Sequence, residues 1–80
     1  MALTMKKLTF GQWLEFHRKA LKLSQQEVAE SLGVSRQTIS NWECDRYALE
    51  ITPTQTRSLC EKLEVTFEQL EEAFRGEATI

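Results

Sequence analysis

Residues 23–43 read LSQQEVAESLGVSRQTISNWE, and the spacing of their apolar side chains predicts two short helices joined by a tight turn. The first helix is expected over 25–32, because Gly33 supplies the left-handed residue that commonly ends a helix. The second is expected over 36–43, since Ser35 is a favoured N-cap residue. This stretch therefore decides how the middle of the chain folds.

The second of these helices has an apolar side and a polar side. At 100° per residue, Ile39, Trp42 and Glu43 fall on the inward side. The opposite side carries four residues that can hydrogen-bond a flat polar target: Arg36, Gln37, Ser40 and Asn41. Gln and Asn can donate and accept on one planar edge, which suits adenine, and Arg suits guanine or a phosphate. The alternative is an ordinary solvated face, although such a face more usually carries Lys and Glu pairs.

The rest of the chain also has helical spacing, without the sustained alternation typical of strands. Four hydroxyl residues each precede a Gln or Glu by three positions, the capping-box pattern that starts helices: Thr9, Ser24, Thr52 and Thr66. Further helices are therefore expected over 10–21, 53–63 and 67–75. The fold class predicted is all-α: a compact five-helix domain over 9–75, with 1–8 as an N-terminal extension and 76–80 as a frayed tail.

Helical spacing also predicts which side chains form the core. The expected members are Phe10, Trp13, Leu14, His17, Leu21, Val28, Ala29, Leu32, Leu59, Cys60, Leu63, Phe67, Leu70 and Phe74. Phe16 lies off the stripe of helix 1 and is expected to be partly exposed. In the loop over 44–52, Tyr47, Leu49 and Ile51 are expected to hold the chain against the core.

Eighty residues make one small domain, too short for a separate catalytic domain. The net charge is −2, yet residues 1–46 hold seven Lys or Arg against five acids, and 47–80 hold three against seven. A positive first half can face a polyanion while the acidic second half faces away from it. The charge distribution permits nucleic-acid binding without proving it.

No constellation of catalytic or metal-binding residues stands out in the sequence. Cys44 and Cys60 form no C-x-x-C pair, and with a single His in the chain both are better explained as small semi-buried side chains than as metal ligands. His17 has no Ser, Cys or acid motif beside it and is interpreted as a packed structural residue. We expect no enzyme, no cofactor and no membrane segment, and a cytoplasmic protein with reduced thiols.

A helix, a three-residue turn and a second helix have the dimensions of a helix-turn-helix unit. The sequence over 23–43 also resembles the phage-repressor-like helix-turn-helix family of the xenobiotic-response-element type. The matching motifs are LSQQEVA at 23–29, LGVS at 32–35 and ISNWE at 39–43, with LEVTFEQL at 63–70 resembling the usual start of the last helix. Glycine is common in that family where this chain has Lys22, and again where it has Cys44 and Asp45.

The resemblance implies a role for each matching position. Arg36, Gln37, Ser40 and Asn41 would read base edges in the major groove, and Gln25, Ser35 and Arg46 would contact phosphates. Arg18 and Glu43 would form a structural ion pair between helix 1 and helix 3. The pair is also needed physically, because Glu43 would otherwise be an unpaired acid close to DNA.

The function expected is a sequence-specific, double-stranded DNA-binding transcriptional regulator located with the nucleoid. A homodimer on a palindromic site is expected because one such module makes few phosphate contacts, and helix 5 with the tail, through Phe74 and Ile80, is the expected dimer surface. The alternative is an antitoxin-type module that binds a toxin partner as well as DNA. A small basic protein encoded next to this chain would favour that alternative.

Overall fold

The computed structural model describes residues 7–46 and 50–79, and in these ranges the chain forms five α-helices. They are α1 (Phe10–Ala20), α2 (Gln25–Leu32), α3 (Arg36–Glu43), α4 (Pro53–Leu63) and α5 (Phe67–Phe74). The all-α, five-helix prediction is confirmed, and the bounds of α2, α3 and α4 are those expected from the sequence. Tyr47, Leu49 and Ile80, to which the sequence assigned roles, lie outside the described residues.

Each helix begins after the N-cap residue that the sequence predicted. At α1, α2, α4 and α5 the N-cap hydroxyl accepts from the third helical N–H, and the Gln or Glu side chain at that position accepts from the N-cap N–H. The predicted caps at Thr9, Ser24, Thr52 and Thr66 are therefore complete capping boxes. Ser35 caps α3 through its hydroxyl alone, since Thr38 occupies the third position.

The core lies where the five helices meet, with α3 packed against α1 and α2. Its largest fully buried side chains are Leu14, Val28, Ile39, Leu59, Leu63 and Leu70. Leu8 and Ala78, which precede and follow the helices, also belong to this cluster, whereas Phe10, Cys60 and Ile51 are half-buried at its margin. Phe16 is exposed, as expected.

Three residues expected in the core are exposed instead: Leu21, Phe67 and Phe74. Phe67 is 62% exposed because it is the first residue of α5 and lies beyond the end of the core stripe formed by Leu70 and Ala73. Leu21 is exposed because α1 ends at Ala20, so Leu21 is a capping residue rather than a member of the helical stripe. Phe74 is exposed and stacks on Phe10, with ring centroids 5.0 Å apart.

Part of the C-terminal tail, which the sequence predicted to be frayed, is packed against the core. Ala78 is only 6% exposed, and its carbonyl oxygen accepts a 2.8 Å hydrogen bond from the Leu8 N–H. Lys7 and Thr79 form an isolated antiparallel bridge beside it. The two flanking segments therefore pair with each other and close the core next to α5.

Candidate nucleic-acid interface

The orientation of α3 defines the candidate interface. Ile39 is fully buried and Trp42 nearly so, which fixes the inner side of the helix against α1 and α2. Arg36 and Gln37 are exposed, and Ser40 and Asn41 are partly exposed. The side chains predicted to read bases therefore share one outward surface, which we call the α3 polar face: Arg36, Gln37, Ser40 and Asn41.

Gln37 and Asn41 lie one turn apart and are linked to each other. The Gln37 Nε2 donates to Asn41 Oδ1 over 3.1 Å. The bond uses the donor of Gln37 and the acceptor of Asn41, so the carbonyl oxygen of Gln37 and the amide N–H groups of Asn41 are not engaged in it. The pair thus combines an acceptor and donors within one exposed helical turn.

A buried ion pair supports the α3 polar face from beneath. Arg18 on α1 donates from Nε to Glu43 Oε2 over 2.6 Å and from Nη2 to Glu43 Oε1 over 3.1 Å. Arg18 is 9% exposed and Glu43 8%, and Arg18 Nη1 also donates to the Leu23 carbonyl oxygen. Removing either partner would strand a charge at a site shielded from water, so the pair fixes α3 on α1.

Gln25 lies between this ion pair and the α3 polar face. Its Nε2 donates to Glu43 Oε1 over 3.0 Å, and its Oε1 accepts from Arg36 Nη1 over 3.2 Å. The sequence predicted only a phosphate contact for Gln25 and gave no indication that Arg36 would lean on it. The contact arises because Gln25 and Arg36 are the first residues of α2 and α3, and the turn between these helices brings their starts together.

The predicted phosphate-contacting residues flank the α3 polar face. Ser35 is exposed at the start of α3, where its Oγ lies 2.9 Å from Thr38 Oγ1. Arg46 is exposed just after α3, and its N–H donates to the Asn41 carbonyl oxygen over 3.1 Å. Gln25 and Ser35 lie near the N-terminal end of α3 and Arg46 follows its C-terminal end, and their DNA contacts stay a prediction.

Sequence reasoning missed a contact between α1 and the end of α3. Asp45 Oδ2 accepts from the Thr9 hydroxyl over 2.6 Å, and Asp45 Oδ1 accepts from the Gly11 N–H over 2.9 Å. Thr9 was assigned only a capping role, and neither Gly11 nor Asp45 was singled out as a contact. The partners are 36 and 34 residues apart, so no local pattern could have identified them.

The other titratable residues considered from the sequence are His17, Cys44 and Cys60, of which His17 and Cys60 are partly buried. Burial lowers the pKa of His17, whose ring packs against Trp13 with centroids 4.8 Å apart. Burial raises the pKa of the Cys60 thiol, while Cys44 is exposed. In the part of the chain that the structure describes, no three His, Cys, Asp or Glu side chains are grouped as a metal site requires. Within the same ranges no helix is long and apolar enough to cross a membrane.

A helix-turn-helix family model matches residues 14–70 of the 80, which include α2, α3 and the turn between them. The chain belongs to the helix-turn-helix family. The resemblance predicted from residues 23–43 is thereby confirmed. No curated protein matches this helix-turn-helix chain in sequence.

Solved structures similar to this helix-turn-helix chain include known regulators. The P22 c2 repressor protein, in complex with a synthetic operator, is 26% identical over 82% of this chain and 97% of that chain, with a TM-score of 0.69. The restriction-modification controller protein C.AhdI from Aeromonas hydrophila is 26% identical over 76% of this chain and 89% of that chain, with a TM-score of 0.63. SinR, the master regulator for biofilm formation in complex with DNA, is 24% identical over 79% and 98%, with a TM-score of 0.67, which shows the shared fold alone.

Proposed function

We propose that this chain is a sequence-specific, double-stranded DNA-binding transcriptional regulator that inserts α3 into the major groove. The observation that carries the proposal is the division of α3 into two sides. Ile39 and Trp42 anchor the helix in the core, while the α3 polar face stands open. The likeness to the P22 c2 repressor, a protein solved with a synthetic operator, supports the same reading.

Base recognition would come from the α3 polar face. The free carbonyl oxygen of Gln37 and the amide N–H groups of Asn41 match the N6 donor and N7 acceptor of adenine. Arg36 can present two parallel donors to guanine O6 and N7, and Ser40 can donate or accept beside them. Gln25 would hold Arg36 in place in the free protein, since its Oε1 accepts from the guanidinium.

Phosphate contacts would set the register of α3 in the groove without reading sequence. Gln25 begins α2 and Ser35 caps α3, so both lie at helix N-termini, where N–H groups and the helix dipole favour a phosphate. Arg46 would bind the backbone at the other end of α3 as a charged, exposed side chain. The three residues together bracket the α3 polar face.

A substitution at Gln37 tests base reading directly. The wild-type chain is first used to select duplexes from a random pool, and binding to the selected duplex is then measured for Gln37→Ala. We expect a loss of about 1–3 kcal/mol and relaxed selectivity at one base position. Thr54→Ala, at an exposed position of α4, is the matched control. Equal binding of the selected duplex by Gln37→Ala and the wild type would remove Gln37 from the recognition surface.

We further propose a homodimer on a palindromic site, paired through α5 and the C-terminal tail. Phe74 is 46% exposed at the end of α5, and Phe67 is more exposed about two turns earlier on a similar side of that helix. Exposed aromatic side chains of this kind favour burial against another chain. Sedimentation without DNA should show dimers that Phe74→Ser weakens. Monomers at every concentration would leave only pairing that DNA itself induces.

A specific feature favours a second candidate, an antitoxin-type module that binds a protein partner as well as DNA. A groove of about 760 Å³ lies between α4 and the start of α5, with Ile51, Val65 and Phe67 among its lining residues. Glu64 and the ion pair of Arg57 with Glu61 also line it, so the groove carries a net negative charge that suits a basic partner. Co-expression with a small basic protein encoded beside this chain should give a complex that Phe67→Ser disrupts while DNA binding persists. Failure to form any complex would exclude this candidate.

A further inference from the structure

The first turn of α1 is bound by a residue from the far end of α3. The Asp45 carboxylate accepts one hydrogen bond from the Thr9 hydroxyl and another from the Gly11 N–H. Thr9 already caps α1 by accepting from the Gln12 N–H, so Asp45 satisfies a second free N–H of the same helix end. A carboxylate at a helix N-terminus is also favoured by the helix dipole. We call Thr9, Gly11 and Asp45 the α1–α3 clamp.

The clamp depends on close backbone contact between the two helices. A Cβ added to Gly11 would lie 2.5 Å from the Glu43 carbonyl oxygen and 2.6 Å from that of Trp42. It would also lie 2.8 Å from Asp45 Oδ2. Only glycine lets the start of α1 approach the last carbonyl groups of α3 so closely. The clamp therefore depends on a close backbone approach that a side chain at position 11 would prevent.

Asp45 occupies a backbone conformation that most residues avoid. Its φ is 55°, in the left-handed region where glycine is the unstrained choice. Its N–H donates to the Trp42 carbonyl oxygen, and the next N–H, that of Arg46, donates to the Asn41 carbonyl oxygen. Asp45 thus ends α3 and determines where the chain leaves it towards Arg46. The hydrogen bonds of the clamp offset the cost of this conformation at Asp45.

The clamp and the buried ion pair attach α3 to α1 at two separate places. Gly11 and Arg18 are seven residues apart on α1, which corresponds to roughly 10 Å along the helix axis. Arg18 binds Glu43, and Gly11 binds Asp45. Burial of Ile39 and Trp42 already holds the inner side of α3 against α1 and α2. The two attachments add a constraint at the C-terminal end of α3, next to Asn41 and Arg46.

We propose that Asp45 is a positioning residue for DNA binding: through Thr9 and Gly11 it fixes the end of α3, and with it the placement of the α3 polar face and of Arg46. This role rests on the proposed DNA-binding function. It runs against simple electrostatics, because Asp45 is an exposed acid that follows the helix expected in the groove. Charge alone would make its removal strengthen binding to a polyanion. Positioning makes its removal weaken binding.

Asp45→Gly and Asp45→Asn test the role on two probes: the duplex that the wild-type chain selects from a random pool, and a duplex of unrelated sequence. Asp45→Gly suits the left-handed backbone and deletes the carboxylate, so affinity for the selected duplex should fall about tenfold, a loss comparable to that of one base contact. Asp45→Asn removes the same charge but keeps an acceptor for the Gly11 N–H, so it should recover most of that affinity. Glu50→Gln removes one charge from an exposed residue outside the clamp and serves as the charge control.

The outcomes separate positioning from charge and from folding. All binding is measured under conditions in which circular dichroism shows each variant fully folded. If Asp45 positions α3, Asp45→Gly should lower the ratio of the affinity for the selected duplex to the affinity for the unrelated duplex. Asp45→Gly binding the selected duplex as tightly as the wild type, or more tightly, overturns the role of Asp45 and leaves the proposed function intact. A wild-type chain that enriches no duplex at all rejects the proposed function itself, and the positioning role with it.

Discussion

Lys22 and Asp45 adopt left-handed backbone conformations, with φ of 58° and 55°. Both stand where the related family commonly has glycine, and the structure supplies the reason: each follows a helix end where the chain must turn sharply. Asp45 offsets the conformational cost through the α1–α3 clamp. Lys22 donates its N–H to the Lys19 carbonyl oxygen at the end of α1. Departures from a family pattern can thus keep the backbone conformation that the pattern implies.

Gly11 and Gly33 are required for different reasons, which substitution by alanine should separate. At Gly11 the added Cβ meets backbone oxygen atoms that cannot rotate away, so Gly11→Ala should cost about 3 kcal/mol of unfolding free energy. At Gly33 the Cβ meets nothing within 4 Å but φ is +70°, so Gly33→Ala should cost about 1 kcal/mol. Urea unfolding of the two variants measures both, and equal losses would contradict the close approach at Gly11.

Arg46 is expected to contribute to affinity without contributing to selectivity. Arg46→Ala should weaken binding to selected and unrelated duplexes alike, and should reduce the slope of log affinity against log salt by about 1. Arg57→Ala is the matched control, since Arg57 is exposed on α4 and paired with Glu61. A change in selectivity with an unchanged salt slope would instead assign Arg46 to base reading.

Removing one partner of the Arg18–Glu43 ion pair should strongly lower the unfolding free energy. Arg18→Met keeps the aliphatic bulk of the side chain but leaves the Glu43 carboxylate buried, with Gln25 as its one remaining side-chain donor among the described residues. The unfolding free energy should fall by about 3–5 kcal/mol. Arg18→Met with Glu43→Met in the same chain should recover part of the loss, because no charge is then buried. A single variant as stable as the wild type would show that water reaches Glu43.

At the scale of the helices, α3 differs from its neighbours in how it begins. The other four helices have reciprocal capping boxes, whereas α3 has Thr38 where they have Gln or Glu. The α3 cap therefore lacks one hydrogen bond of the box, and burial of Ile39 and Trp42 in the core holds the helix in place.

The capping box of α2 should make stability depend on pH in a defined direction. Hydrogen bonds from Ser24 lower the pKa of Glu27. Because the pKa is lower in the folded chain, this contribution is complete above the usual glutamate pKa of about 4.3 and is lost as pH falls through the folded value. Glu27→Gln should therefore flatten the acid limb of a plot of stability against pH. Ser24→Ala should cost about 1 kcal/mol at neutral pH.

Urea unfolding of wild type, Glu27→Gln and Ser24→Ala from pH 7 to pH 3 measures both effects. Glu64→Gln is a suitable control, since Glu64 is an exposed acid at the end of α4 rather than at the start of a helix. Parallel pH profiles for wild type and Glu27→Gln would contradict the link between the cap and the carboxylate.

At the scale of the whole molecule, the segments before α1 and after α5 pair with each other at residues 7–8 and 78–79. Packed residues therefore extend beyond the range 9–75 that the sequence predicted for the domain. Leu8 and Ala78 are both buried, and the hydrogen bond between them joins segments 70 residues apart. The core therefore includes one residue from each segment that the sequence assigned to an extension and a tail. Leu8 and Ala78 lie beside Trp13 at this point. Leu8 and Ala78 are part of the folding unit.

Ala78→Glu tests how much the burial of Ala78 contributes to the stability of the domain. A carboxylate forced into this buried position should cost about 2–4 kcal/mol, equivalent to a fall of roughly 10–25 °C in melting temperature for a domain of this size. Thr79→Glu places the same charge one residue later at an exposed position and should change stability by less than about 0.5 kcal/mol. Calorimetry of both variants checks the contrast, and equal melting temperatures would mean that the tail adds nothing to the core.

The sequence by itself determined what local interactions control. Helix starts follow from hydroxyl caps acting over three residues, and the division of α3 into a buried and an open side follows from helical periodicity. Tertiary structure alone decided the clamp between Asp45 and Gly11, the contact of Gln25 with Arg36, the burial of Ala78 and the exposure of Phe67. These depend on how helices far apart in the chain pack, and no pattern within one or two turns records which side chains that packing brings together.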